Sequence, residues 1–190
     1  MAATDITTQV PGYIAGTWDV DLSHSDVAFT VRHLMVSKVR GHFTKFEGTI
    51  VTGEHPLDSS VHAVIDLSSV DTNDETRDAH LRTADLFDVD QHPTMEFQST
   101  AVRPDGDDFV LDGDLTVHGV TRPVSLRLQL NGFLPTSPFG DTRAGFSAST
   151  ELSRSDFGID FNIPLDGGGV VIGDKVQVAL EVEAILRPQS

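Results

Sequence analysis

The residues of this chain best suited to chemistry are its eight histidines, at positions 24, 33, 42, 55, 62, 80, 92 and 118. Imidazole binds transition metals and exchanges protons near neutral pH. A preorganised metal site shows in the spacing, as H-E-x-x-H or H-x-H, or recruits cysteines. These histidines have neither spacing, and the chain has no cysteine. The sequence therefore assigns no metal ligand, and it leaves open convergence of distant histidines in the folded chain. His24-Ser25-Asp26 contains the residue types of a hydrolytic triad. A triad is a geometry rather than a neighbourhood, and no G-x-S-x-G elbow is present. Residues 23–26 read instead as a turn. Gly167-Gly168-Gly169 could cradle a phosphate but lacks the lysine and helix start of a phosphate loop, so it reads as a hairpin or bulge hinge. No residue is assigned a catalytic role, and the chain is expected not to be an enzyme.

Two basic groups remain. One is Arg32, His33, Lys38, Arg40 and Lys45; the other is Arg77, His80 and Arg82. If the two segments fold together, they could receive an anionic head. The competing reading pairs them with surrounding acids, each pair contributing little.

The elements that must position these groups are mostly strands. Val27, Phe29 and Val31 alternate with Ala28, Thr30 and Arg32. The same period of two runs through Val61 to Leu67, Phe109 to His118, Val124 to Leu130, Ala144 to Ala148 and Val176 to Leu186. That is the pattern of half-buried antiparallel strands. Eight or nine such strands in an open sheet would leave vulnerable edges, which closure into a barrel removes. An eight-stranded barrel holds either a filled core or one small ligand. The exception is Asp71 to Phe97, a polar segment that predicts a helical cap over about 72–88. Thr72 with Glu75 matches a capping box there, and Pro93 ends the insert. Residues 1–15 read as a flexible tail and 16–188 as a single domain.

Thirteen basic residues against 29 acidic ones give a net charge of −16. Nucleic-acid binding depends on a cationic footprint, so nucleic acid is not an expected partner. No window is long and apolar enough for a membrane-spanning helix. The cysteine-free chain lacks the features of a secretory leader, so the expected location is cytoplasmic.

Several segments together resemble the YceI-like family of polyisoprenoid-binding, lipocalin-like proteins. They are Trp18-Asp19-Val20-Asp21 with His24-Ser25, then Phe29 to Leu34, then Val39-Arg40-Gly41-His42-Phe43 with Phe46 and Gly48. Arg77-Asp78-Ala79-His80-Leu81-Arg82 through Phe87, with Pro93 and Phe97, is the most specific piece. Leu115 to Thr121 and Ser153-Arg154-Ser155-Asp156-Phe157-Gly158 complete it. The resemblance implies an all-β, extended eight-stranded antiparallel barrel with an apolar channel. It implies binding, storage or transport of a long-chain isoprenoid or related amphiphile, with no cofactor and with a homodimer among the expected partners. A stress-related interaction domain with a filled core, or an enzyme on a lipid-like substrate, are the alternatives.

The expected channel wall is Phe29, Val31, Phe97, Leu115, Val117, Leu126, Leu128, Phe146 and Leu180. The expected head-group contacts are His33, Arg40, Arg77, His80 and Arg82. Periodicity leaves open which strand face points inward.

Overall fold

A computed structural model describes residues 10–188. Its strands are β1 Gly16–Val20, β2 Asp26–His33, β3 Ser37–Phe43, β4 Phe46–Thr52, β5 Ser60–Asp66, β6 Val70–Asp71, β7 Thr94–Asp105, β8 Asp108–Val117, β9 Val120–Leu134, β10 Arg143–Ser153 and β11 Ile172–Leu186. One helix, α1, spans Glu75–Arg82. Strands β1, β4, β5, β7, β8, β9, β10 and β11 pair in that order, and β11 returns to β1. The result is the expected closed, eight-stranded antiparallel barrel with a short helical cap.

Strand β11 makes the closure by serving two partners. Its final residues pair with β1, Trp18 opposite Leu186 and Val20 opposite Ala184. Its earlier stretch pairs with β2, from Val176 opposite Val31 to Glu181 opposite Asp26. Strands β1 and β2 are therefore successive neighbours of one long strand, separated by the turn at Asp21–Ser25. Strand β3 continues from β2 and meets only the short β6, at His42–Asp71 and Phe43–Val70. The chain then leaves the sheet to form α1, and the insert covers this end of the barrel.

Burial follows the alternation. In β8, Phe109, Leu111, Leu115 and Val117 are buried, with Gly113 on the same face. A two-residue turn joins β8 to β9. His118 and Gly119 both have left-handed backbones, φ 54° and 72°, as a type I′ hairpin requires. At the other end Trp18 is fully buried among Ile50, Ala144, Phe146 and Ala184. Its indole N–H donates to Thr52 Oγ1 at 2.8 Å, and that hydroxyl donates to the Ile14 carbonyl at 2.7 Å. A buried indole thus keeps its polar atom satisfied.

Two local expectations change. The α1 cap is Asp74, whose carboxylate accepts from the Arg77 N–H at 3.0 Å. Thr72 sits before the helix and is itself held: its N–H and hydroxyl donate to the buried Asp78 carboxylate at 2.9 and 2.5 Å. The capping box fails because Thr72 is occupied by a residue one turn into the helix. Of the expected tail 1–15, residues 1–9 lie outside the described residues. Within the remainder Tyr13 is anchored, its hydroxyl donating to the Gly53 carbonyl at 2.8 Å, and Ile14 packs on the Trp18 cluster.

Ion pairs fasten the outer face. Arg143 bonds Asp21 at 3.0 Å, Asp141 at 2.8 Å, and Glu183, tying β10 and β11 to the turn after β1. The Arg103 guanidinium, with the Ser125 hydroxyl, lowers Asp112 to about 2 from its ordinary 3.8. A carboxylate depressed in the folded state stabilises it above the ordinary value and loses that contribution as pH falls through the folded value. The urea midpoint should therefore drop as pH falls from about 4 to about 2, and drop less steeply in Asp112→Asn. Parallel wild-type and variant curves would contradict this assignment.

Candidate functional site: the barrel interior

The inward faces enclose two cavities along the barrel axis. The first, of about 110 Å³, lies at the Trp18 end and is bordered by Ile50, Phe109, Leu111, Leu128, Phe146 and Leu180, among others. The second, of about 150 Å³, lies under the helical insert, against Phe29, Val31, Leu115, Val117, Val176 and Val178. Leu81, Leu86 and Phe87 of the insert form its roof. The few hydroxyls at the first cavity are engaged with protein: Tyr13 and Ser59 with the Gly53 backbone, and Thr52 with Ile14. Burial raises the pKa of the Tyr13 phenol, which keeps it neutral. The interior is thus almost wholly apolar.

A single layer separates the cavities. Along β8, Leu111 faces the first and Leu115 the second; Gly113 lies between them. A Cβ on Gly113 would stand 2.4 Å from the Phe97 ring. The Phe97 ring therefore lies across Gly113, and the glycine is required by that close approach rather than by a turn. Leu126 completes the layer on β9, between Val124 and Leu128 in its inward row and level with Leu111 in the ladder.

The sequence-derived wall residues distribute accordingly. Phe29, Val31, Leu115 and Val117 border the second cavity. Leu128, Phe146 and Leu180 border the first. Phe97 and Leu126 border neither cavity and belong to the layer between them.

The head-group residues lie elsewhere, and none of them borders either cavity. His33 ends β2, opposite Ser37 and Ile172. Arg40 is exposed on β3. Arg77 braces the start of the insert, its Nε and Nη2 donating to the hydroxyl and carbonyl of Thr72 at 2.7 and 2.8 Å. His80 bonds Asp85 at 3.1 Å, and its ring meets the Phe161 edge. Arg82 donates to the Ser68 carbonyl at 2.9 Å and pairs with Glu75 at 3.4 Å. Arg77, His80 and Arg82 share one helix. Among the described residues no bond joins them to His33 or Arg40.

One cation does border the interior. Arg154, just after β10, faces the second cavity. Its guanidinium donates to the carbonyls of Gly173, Ile159, Phe161 and Ile172, at 3.0, 2.7, 2.9 and 3.2 Å. Among the described residues it makes no ion pair. Burial lowers its pKa, opposed by the charges of Asp174 and Asp160. A guanidinium has five N–H donors, so these four bonds leave one Nη2 donor without a protein partner among the described residues. The only sequence signal for it was the Ser153–Gly158 segment where β10 alternation stops.

Comparison with known proteins accords with this geometry. The profile of the YceI-like domain matches residues 18–184. The chain belongs to the YceI-like family. A UPF0312 protein of Pectobacterium atrosepticum is 41% identical over 169 residues, covering 88% of this chain and 84% of that protein. Protein YceI of Escherichia coli O157:H7 is 38% identical over 168 residues, with the same coverage of 88% and 84%. Among solved structures, Burkholderia cenocepacia BcnA superposes with a TM-score of 0.73 at 21% identity, over 86% of this chain and 98% of that one. A polyisoprenoid binding domain from Saccharophagus degradans, implicated in plant cell wall breakdown, superposes with a TM-score of 0.69 at 17% identity, over 92% and 100%. At such identities these two structures speak for the YceI-like fold alone. No described helix of this YceI-like chain is long and apolar enough to cross a membrane.

The dividing layer gives a direct test. Phe97→Ala should lower unfolding stability by about 3 kcal/mol, as loss of a packed core phenylalanine does. It should also let benzene-sized guests raise the melting temperature, since a void on the order of 150 Å³ accepts them. Unchanged stability would show that Phe97 does not fill the waist.

Proposed function

We propose that this YceI-like barrel binds a long-chain isoprenoid or related amphiphile. Its tail would lie along the axis through both cavities, and its polar head would lie near Arg154. The observation that carries this reading is two apolar cavities in line within a closed barrel, divided by the Phe97 layer. Rotation of the Phe97 ring would join them into one channel. The homologous domain described as polyisoprenoid binding supports the ligand class. The family and the apolar lining favour binding over catalysis, because among the described residues the interior presents no acid, base or nucleophile free of structural hydrogen bonds.

Energetics assign separate roles to tail and head. Burial contributes ~0.8 kcal/mol per methylene, so one five-carbon unit contributes about 4 kcal/mol gross. A head-group hydrogen bond contributes only about 0.5–1.5 kcal/mol net, or somewhat more when charged. Much of the tail's gain is lost to ordering a flexible chain. The tail therefore sets affinity and the head sets orientation. Phe29, Val31, Leu115, Val117, Leu128, Phe146 and Leu180 serve as wall, with Phe97 and Leu126 displaced or repacked on loading. Arg154 replaces the basic residues of the insert as the principal head contact. Arg77 and Arg82 instead hold the insert in place over the opening.

A titration of delipidated protein with polyprenyl alcohols of increasing length tests this reading. Affinity should rise with each added unit until both cavities are filled, then level off. Leu128→Arg should abolish uptake in a folded variant, because an unpaired charge would sit in the first cavity. Arg154→Met should reduce the preference for a phosphate head over an alcohol head on the same tail. That ratio does not move if the residue only braces the loop. An affinity independent of tail length would overturn the carrier reading and favour the filled-core interaction domain.

A further inference from the structure

The insert and the barrel rim meet at a second cluster, outside the channel. Asp88 and His92 lie in the segment between α1 and β7, and His118 lies in the β8–β9 turn. All three are half-buried, and their ligand atoms lie within 4.8 Å of one another. The His92 and His118 rings approach edge to face, with centroids 5.1 Å apart. Asp88 and His92 are set one turn apart, the His92 N–H donating to the Asp88 carbonyl at 2.8 Å. Gly119 allows the approach of the rings: a Cβ there would stand 2.8 Å from His92 Cε1.

These side chains are unengaged. Among the described residues neither imidazole nor the Asp88 carboxylate makes a side-chain hydrogen bond or ion pair. The contrast is the other group with ligand-like spacing, Asp21, His24 and Glu183. There Arg143 bonds both carboxylates, and His24 Nδ1 contacts Asp21 at 2.9 Å. That group's carboxylates are thus already engaged by protein partners.

We propose that Asp88, His92 and His118 form a site for a divalent transition cation, Zn²⁺ by preference. Two imidazole nitrogens and one carboxylate oxygen are the donor set of a borderline ion. Three protein ligands with water in a fourth position suit Zn²⁺ at bond lengths of about 2.0–2.2 Å. Ca²⁺ and Mg²⁺ call for more oxygen ligands than the cluster supplies. At the bond lengths of a Zn²⁺ site the donors would stand about 3.3–3.5 Å apart, so binding would draw them together from separations that now reach up to 4.8 Å.

The position gives the site a consequence. Leu86 and Phe87 roof the second cavity, while Leu115 and Val117, directly before His118, form its wall. A cation held by Asp88, His92 and His118 would staple the roof to the wall. It would slow opening of the insert without touching the apolar interior. The site itself stands independently of any lipid reading, because its residues border neither cavity.

The test uses the untagged full chain, freed of metal with chelator. Native mass spectrometry and calorimetric titration with Zn²⁺ should show one saturable site per chain and a raised melting temperature. His92→Asn and His118→Asn should each weaken binding at least tenfold while matching the wild-type melting temperature without metal. If His118→Asn fails to fold, His92→Asn alone decides, since it lies in a loop. His62→Gln, a change at an exposed histidine paired with Glu96, should bind as wild type. Absence of a saturable site, or equal binding by His92→Asn and wild type, would overturn the proposal. Binding that vanishes instead in His62→Gln would place the ion on surface histidines and overturn it equally.

Discussion

The barrel depends on backbone hydrogen bonds between β11 and β1, which turn a sheet with two edges into a ring. Once Trp18 lies opposite Leu186 and Val20 opposite Ala184, the circumference is fixed at eight strands. A circumference of that size leaves an interior about one side chain or one slender ligand wide. The inward residues are then mostly apolar, and the few polar ones, Tyr13, Thr52, Ser59 and Arg154, are hydrogen-bonded to protein. The outward residues are left to carry the charge, including the Arg143 and Arg103 pairs. The same closure forces β11 to change partners along its length, and that change opens the far end, where β3 finds only the short β6.

The insert is the response to that opening. Helix α1 is polar over most of its surface and is held by local bonds, Asp74 at its start and Asp78 to Thr72. It turns Leu81 and, beyond its end, Leu86 and Phe87 down onto the interior. Arg77 and Arg82 at this end are bonded to the carbonyls of Thr72, Ser68 and Val70, which ties the insert to the segment before it. The cation that borders the second cavity is Arg154, held by carbonyls of the segments after β10 and at the start of β11. The interior thus has apolar walls along the axis, Arg154 at the cavity beneath the cap, and Phe97 across the waist.

Much of this was legible in the sequence because strand burial is a periodic signal. The alternation at Phe109–Val117, Val124–Leu130 and Val176–Leu186 marked strands with two unlike faces without saying which face turns inward, and the polar run at Asp71–Phe97 marked the insert. What escaped depends on distance in three dimensions. Clustering of basic residues along the chain pointed to Arg77 and Arg82, which border neither cavity, whereas Arg154, which borders the second, has no basic neighbour to draw notice. The Phe97–Gly113 contact joins neighbouring strands that face each other across a ladder, where a glycine carries no periodic signal. His118 lies in a different element from Asp88 and His92, so no spacing rule could bring the three together. The Thr72 cap failed for a similar reason, since a buried Asp78 competed for the same hydroxyl.

The most direct measurement of the central claim is native mass spectrometry of the intact purified protein, paired with solvent extraction and lipid mass spectrometry of the same sample. The account predicts one isoprenoid or comparable amphiphile per chain, retained in the gas phase and recovered in the extract, or taken up stoichiometrically when supplied. A protein that emerges empty and refuses polyprenyl lipids would contradict it, and would mean that the Phe97 layer closes the barrel permanently.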